Sequence, residues 1–277
     1  MPNNSSDVSA VICSWNAAES IAPCIQSLRN NGVKEIILVD ASSTDGTREL
    51  AEPLVDQMLT DPRQGLGAAR NLGIQASTGK YILNCGPDNI MPPGSIGGML
   101  QYKEQGQYAG VSAITEINGS GYLCWAMNKY KKARFYPGDR GVIGTPTIFD
   151  GLRLKLNPFD ASKKFSDDAH LCEDWRNKFN ATFAISNIVV KELGQQTWGA
   201  VWVRWRMYGI SDYEIYNSHA SEWNAARKLQ SLLYPLRMEL IQPLRRNALL
   251  NNIFLLPFLL IITTIRYKSW IFASIKK

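Results

Sequence analysis

Three stretches of the sequence set carboxylates where they can do chemistry. Residues 79–93, GKYILNCGPDNIMPP, read as a short strand over Tyr81, Ile82 and Leu83, a turn through Gly86-Pro87-Asp88-Asn89, and a helix opened by Pro92 and Pro93. Asp88 is thereby presented at the carboxyl end of a strand, where open α/β sheets bind ligands, although an aspartate in an Asx turn has the same local pattern. Residues 35–40, EIILVD, form a second apolar strand that also finishes on a carboxylate, Asp40, and the polar turn ASSTDGT with Asp45 follows it. A third acidic region runs from Asn157-Pro158-Phe159-Asp160 through Phe165-Ser166-Asp167-Asp168 to Cys172-Glu173-Asp174-Trp175-Arg176. If Glu173 and Asp174 lie in the first turn of a helix, its dipole favours their ionised forms, which suits a base, and helix capping alone selects the same residues.

Repeated β-α-β units would position these groups. Residues 8–15, VSAVICSW, are a continuous apolar run that fits a strand buried on both faces, ended by the turn former Asn16. Ile21, Ile25 and Leu28 recur at helical spacing, and Gly32 supplies a stop before the second strand. Short polar connections imply right-handed crossovers and a parallel sheet, which brings Asp40 and Asp88 to one edge. Residues 64–73, QGLGAARNLG, form a helix that presents Arg70 and Asn71 near the same edge. Its Gly65-Leu66-Gly67 opening looks like a dinucleotide fingerprint, but Arg70 stands where the third glycine belongs, so that match is set aside. The small residues Gly67, Ala68 and Ala69 let the helix approach the sheet, and the Arg70 fork suits either a phosphate or a surface ion pair.

With 277 residues and 45% hydrophobic content, the chain can bury a sizeable core. Its net charge of +6 points to an anionic partner. Residues 125–144 mix Lys129, Lys131, Lys132, Arg134 and Arg140 with aromatic side chains, a pattern shared by nucleic-acid surfaces, mobile loops over anionic substrates and solvated faces; no nucleic-acid partner is expected. The five cysteines are odd in number and contain no Cys-x-x-Cys pair, so reduced thiols in a cytosolic compartment are expected. No secretory signal opens the chain.

Taken in order, the strand ending at Asn16, IILVDASSTDGT, AARNLGI, YILNCGPDN and the Glu173-Asp174 pair resemble the inverting family 2 glycosyltransferases, over residues 8–211. The resemblance implies a GT-A fold, an α/β architecture with a mainly parallel central sheet. It also implies transfer of a sugar from a nucleotide-diphospho-sugar to a glycan or lipid-linked hydroxyl, with inversion, in polysaccharide biosynthesis at the cell envelope. Asp40 would meet the nucleotide base and Asp88 the metal-diphosphate, with Mg2+ or Mn2+ as the cation. Asn16, Asp45, Arg70 and Asn71 would complete the donor site. Asp174, with Glu173, would be the catalytic base. Two positions depart from the family pattern. Gly86 replaces the first acid of the usual Asp-x-Asp, and Val201 stands where processive members carry glutamine before Arg204-Trp205. The first leaves open a catalytically impaired relative that binds nucleotide or partners; the second argues for a non-processive enzyme. A sugar-phosphate nucleotidyltransferase shares Asp-terminated strands, but residues 13–18 lack its expected glycine-rich phosphate loop.

The catalytic domain is expected over residues 1–220, with a membrane-associating helical region over 221–277. Trp223, Ala226, Leu229, Leu233, Leu236, Leu240 and Leu244 recur at helical spacing among basic residues, interrupted by Pro235 and Pro243. Residues 248–265 hold no charge and would extend about 27 Å as a helix, close to the hydrocarbon thickness of a bilayer. Arg245 and Arg246 before this run and Arg266 and Lys268 after it give no orientation. An in-plane or re-entrant anchor is the favoured reading, ahead of a span or a buried helix of a soluble dimer. Either membrane mode sets the chain at the cytosolic face, beside a lipid-linked acceptor.

Overall fold

A computed structural model describes residues 5–162, 167–194 and 196–275; Phe165, Ser166 and Gln195 lie outside the described residues. The chain divides into two compact units, Met1–Asn118 with Tyr136–Gly194, and Gly119–Phe135 with Gln195–Lys277.

The first unit is a nine-stranded mixed sheet flanked by helices. Its elements are β1 (Val8–Ser14), α1 (Ile21–Asn30), β2 (Glu35–Asp40), α2 (Thr47–Ala51), β3 (Gln57–Thr60), α3 (Leu66–Ala76), β4 (Tyr81–Cys85), β5 (Asn89–Ile90), α4 (Ser95–Gly106) and β6 (Gly110–Ile117). After α5 (Gly121–Arg134), which belongs to the second unit, come β7 (Gly138–Arg140), β8 (Thr147–Asp150), α6 (Gly151–Leu156), α7 (Asp167–Phe179) and β9 (Phe183–Glu192). The strand order is β3-β2-β1-β4-β8-β6-β9-β5, with β7 paired to β9. Strands β3, β2, β1 and β4 are mutually parallel, and β6 is parallel to β9. Strand β8 runs antiparallel between β4 and β6, and β5 and β7 run antiparallel to β9.

The apolar runs account for the parallel half. Val8, Ala10 and Ile12 face α1 and α4, whereas Val11, Ile37 and Val39 face α3 and α7, so these strands are buried on both sides. Register then levels the strand ends, with Ser14 opposite Asp40 and Ile12 opposite Cys85. Helix α3 lies tight on the sheet because of Gly73, where a Cβ would stand 2.5 Å from Val11 Cγ1. The close approach thus falls one to two turns later than Gly67-Ala68-Ala69.

Within the second unit, α5, α8 (Trp198–His219), α9 (Ala225–Leu232), a π-helical turn (Leu236–Ile241), α10 (Gln242–Arg246) and α11 (Leu249–Ile275) pack together. Residues 125–134 are therefore helical and not a loop. Cys124, Met127 and Tyr130 recur at three-residue spacing and are buried, and this periodicity outweighs the intervening lysines. The second unit also begins upstream of the expected division at 220/221. Helix α8 runs through Gly209-Ile210-Ser211, and its length lies along α11, with Trp205 meeting Tyr130 and Phe258 edge-on. Pro235 and Pro243 divide the basic amphipathic stretch, as their missing donors require. Arg266 of α11 is buried and forked onto Asp212 at 2.6 and 2.8 Å, and it also pairs with the fully buried Glu239, which Arg134 approaches at 3.4 Å.

Candidate active site

The carboxyl ends of β1, β2 and β4 carry the candidate residues. Asp40 ends β2 with no solvent exposure. Its Oδ1 accepts from Ser14 Oγ at 2.8 Å and Ser43 Oγ at 2.6 Å, and its Oδ2 accepts from Ser43 N at 2.9 Å and Arg48 at 3.3 Å. Burial acts to raise its pKa, but the bonds from Ser43, Ser14 and Arg48 prevail and hold it below the usual carboxylate range. Four donors fill the acceptor positions of a carboxylate. In this arrangement Asp40 shapes the turn after β2.

That turn interlocks with the one after β1. Asn16, in the left-handed region at φ 48°, donates its N–H to Ser43 Oγ and accepts from Thr44 N. Asp45 accepts from Ala18 N at 3.0 Å and from the Thr47 hydroxyl at 2.5 Å, and Thr47 with these neighbours keeps its pKa low. Asn16, Ala17, Ala18, Asp45, Leu193 and Gly194 line a cleft of about 380 Å³.

The Gly86–Asn89 turn borders this cleft, since the Asp88 carbonyl accepts from Leu193 N at 2.8 Å. Asn89 closes the turn by accepting from Gly86 N at 3.0 Å and donating its side-chain amide to Asp88 Oδ1 at 3.2 Å. A Cβ at Gly86 would lie 2.7 Å from Asp88 Oδ1, so a second carboxylate at that position requires Asp88 to move. The described residues contain no group of three or more His, Cys, Asp or Glu suited to a metal. Asp88 alone fits a hard cation whose remaining ligands are diphosphate oxygens and water.

On the other side of the turn, Gly86 and Pro87 line a second cavity of about 250 Å³ with Val11, Cys13, Leu66, Arg70, Asn84 and Thr145. Arg70 is not a surface residue. Its Nη1 donates to Asp167 at 2.7 Å and Asp168 at 2.9 Å, its Nη2 donates to Thr145 Oγ1 at 2.8 Å, and its guanidinium lies 5.1 Å from the Phe159 ring centroid. Burial opposes its charge, and Asp168 with Asp167 outweighs burial. Asn71 spends both ends of its amide on Phe159, donating to the carbonyl at 2.8 Å and accepting from N–H at 3.0 Å, and so pins the chain ahead of α7.

Helix α7 starts at Asp167, six residues before Glu173. The first-turn acids are therefore Asp167 and Asp168, while Glu173 and Asp174 sit mid-helix on the exposed face, Asp174 paired with Lys178 at 3.8 Å. The register follows from burial of Asp167, Leu171, Cys172 and Trp175 at helical spacing, a signal present in the sequence. The Asp167 side chain is 7% exposed and that of Asp168 26%. Burial raises Asp168 to about 6, Arg70 opposes the rise and Asp167 adds to it.

All five cysteines are free thiols. Burial pushes Cys13 up to about 12, which leaves it protonated and unsuited as a nucleophile despite lining the cavity.

An α/β unit with a parallel strand that ends on Asp40, a cleft at the strands' carboxyl ends and an Asp88 turn between two cavities has the GT-A-like architecture. Residues 9–161, more than half of the chain, match the glycosyl transferase family 2 profile, and the chain belongs to that family. It is similar to the succinoglycan biosynthesis protein ExoO of Rhizobium meliloti, at 34% identity over 101 residues, covering 34% of this chain and 29% of that protein. It is also similar to the cholesterol galactosyltransferase of Borreliella burgdorferi, at 34% identity over 83 residues, covering 27% of this chain and 23% of the relative. The matched stretch thus spans less than a third of either relative. The fold is shared with the mannosyltransferase PcManGT from Pyrobaculum calidifontis in complex with GDP-Man and Mn2+, at TM-score 0.62 and 16% identity, over 98% of this chain and 86% of that one.

Proposed function

We propose that the chain is an inverting, non-processive hexosyltransferase that moves a sugar from a nucleotide-diphospho-sugar to a glycan or lipid-linked hydroxyl acceptor at the cytosolic face of a membrane. The observation that carries this reading is the buried Arg70, which lines one cavity and pairs with Asp167 and Asp168, with the Asp88 turn between that cavity and the outer cleft. The names of the relatives supply the substrate classes.

In this reading the outer cleft, with Asn16 and Asp45, takes the nucleotide, and the inner cavity takes the sugar. Asp168 is the more exposed acid of its pair, and burial raises it to about 6, so it replaces Asp174 as the candidate base. It accepts the acceptor's hydroxyl proton as that oxygen attacks the anomeric carbon and the bond from this carbon to the diphosphate oxygen breaks on the opposite face. Arg70, itself bonded to Thr145, holds the Asp167-Asp168 pair in place. Mg2+ or Mn2+, held by Asp88 with the diphosphate, would offset the negative charge that develops on the leaving group. Asp40 acts on the donor through the turn it organises.

Titration calorimetry with GDP-mannose and UDP-glucose, with and without manganese, tests the donor site. Asp88→Asn is expected to remove the manganese-dependent part of binding and to spare the metal-independent part; an unchanged manganese effect sinks the assignment of Asp88. Gly86 favours a second reading, a relative that binds donor without turnover. Binding with no transfer or hydrolysis across a donor panel selects that reading.

Helix α11 is long and apolar enough to cross a membrane, with a mean hydropathy of 1.8 over its most apolar stretch. One face, including Leu255, Phe258, Leu259, Ile262 and Arg266, is buried, whereas Leu250, Ile253, Phe254, Leu260, Ile261 and Phe272 are exposed along the other. A helix with one face committed to α8 favours in-plane anchoring over a lone span. Full-length protein is expected to co-sediment with vesicles containing anionic lipid, and Phe254→Asp with Ile261→Asp is expected to leave it in the supernatant without loss of fold. Undiminished sedimentation of the double variant rejects this anchor.

A further inference from the structure

Asn84, one residue before the end of β4, is 3% exposed, and neither its Oδ1 nor its Nδ2 has a hydrogen-bond partner among the described residues. An amide buried in this way forfeits the hydrogen bonds it makes in water, so a structural position would select an apolar residue of the same size. Its neighbours on β4 satisfy that rule, since Ile82 on the same face packs into the apolar cluster beneath α3. Asn84 departs from it where the strand reaches the 250 Å³ cavity.

The cavity has the chemistry of a site for one sugar ring. Val11, Leu66 and Pro87 offer apolar wall to the C–H faces of a pyranose, and Arg70 and Thr145 lie at its boundary. Its volume is below the ~300–1,000 Å³ of typical small-molecule pockets, which suits one ring and excludes a whole nucleotide sugar. Three of the five Arg70 N–H donors are engaged, by Asp167, Asp168 and Thr145. The Asn84 amide presents a donor and an acceptor that are both uncommitted among the described residues, and two vicinal hydroxyls offer the complementary pair.

We infer that Asn84 is a specificity-determining residue that reads hydroxyl groups of the transferred sugar from inside the sheet. The inference rests on the sugar-transfer reading above and adds to it the residue that chooses among sugars. The unpaired amide costs the free protein stability and gains its partners when the ring enters.

The test uses the full-length protein, with UDP-glucose, UDP-galactose, UDP-N-acetylglucosamine and GDP-mannose as probes against UDP and GDP alone. In Asn84→Leu the affinity for the best-bound nucleotide sugar is expected to fall about tenfold or more, with the affinity for the matching free nucleoside diphosphate unchanged. The same substitution is expected to raise the melting temperature of the free protein by about 2–4 °C, which loss of a structural asparagine would not do. Asn84→Ala provides the second variant and is expected to lose the wild-type preference between UDP-glucose and UDP-galactose. Equal losses for sugar and free nucleotide, unchanged binding of both, or retained epimer preference in Asn84→Ala overturns the role of Asn84 alone. Failure of the wild type to bind any nucleotide sugar overturns the transfer reading and this inference with it.

Discussion

Asp168→Asn is expected to lower the rate of sugar transfer about 10²–10⁴-fold, the range for a positioned general base, while donor binding persists. The amide keeps the shape of the side chain and its approach to Arg70 but cannot take a proton. Asp174→Asn, on the exposed face of α7 beside Lys178, is expected to transfer sugar at the wild-type rate. Loss of transfer in Asp174→Asn with retention in Asp168→Asn reverses the assignment. The pH dependence supplies a second check on Asp168. Asp168 titrates at about 6 because burial disfavours its charge, with Arg70 opposing and Asp167 reinforcing the rise. The base is needed in its ionised form, so the wild-type rate should be level above this pH and fall in proportion to proton concentration below it. An acid limb well below 6 rejects Asp168 as the base.

Arg70→Ala is expected to cost about 3–5 kcal/mol of stability at neutral pH, because it strands a buried carboxylate, Asp167, and a partly buried one, Asp168, that share one cation. Denaturant unfolding of the variant and wild type measures the difference. Its pH dependence has a fixed sign. Without Arg70 the opposing influence on Asp168 is gone, so the folded-state pKa rises further above the unfolded value. A group whose pKa is raised by folding stabilises the fold at low pH and loses that contribution as pH rises through the folded value. The gap between variant and wild type should therefore narrow as pH falls from 7 towards 5. A gap that widens on acidification shows that Asp167 and Asp168 are not the groups held by Arg70. Arg70→Lys should recover only part of the loss, since an ammonium cannot reproduce the planar fork that reaches Asp167, Asp168 and Thr145 together.

The parallel half of the sheet was legible because VSAVICS and EIILVD are apolar on both faces, and only a doubly covered strand tolerates that. The Asp88 turn was legible for a local reason, its Gly-Pro-Asp-Asn composition. The register of α7 was harder to read. Asp167, Asp168, Glu173 and Asp174 are chemically alike, and only the burial of Leu171, Cys172 and Trp175 decides which pair opens the helix and faces inward. Arg70 and Asn71 were expected at the strand edge, but their partners lie 97 and 88 residues away, at Asp167 and Phe159, and no local pattern announces such contacts. Asn84 left no periodic signal, because one polar residue in YILNC resembles a strand end. The unit boundary was displaced for a similar reason: α8 is defined by its packing on α11, far along the chain.

The ion cluster of the second unit has a consequence for the order of synthesis. Glu239 is reached by Arg134, made long before it, but Arg266 follows Asp212 by 54 residues, so Asp212 leaves the ribosome before the cation that answers it. Translation at ~5–20 residues per second makes that interval several seconds. Throughout it, α8 carries an acid without its partner, and the fork that joins α8 to α11 cannot form until residue 266 has been made. The arginine in the middle of the apolar helix therefore acts as a timing mark, tying closure of the second unit to completion of its last described helix.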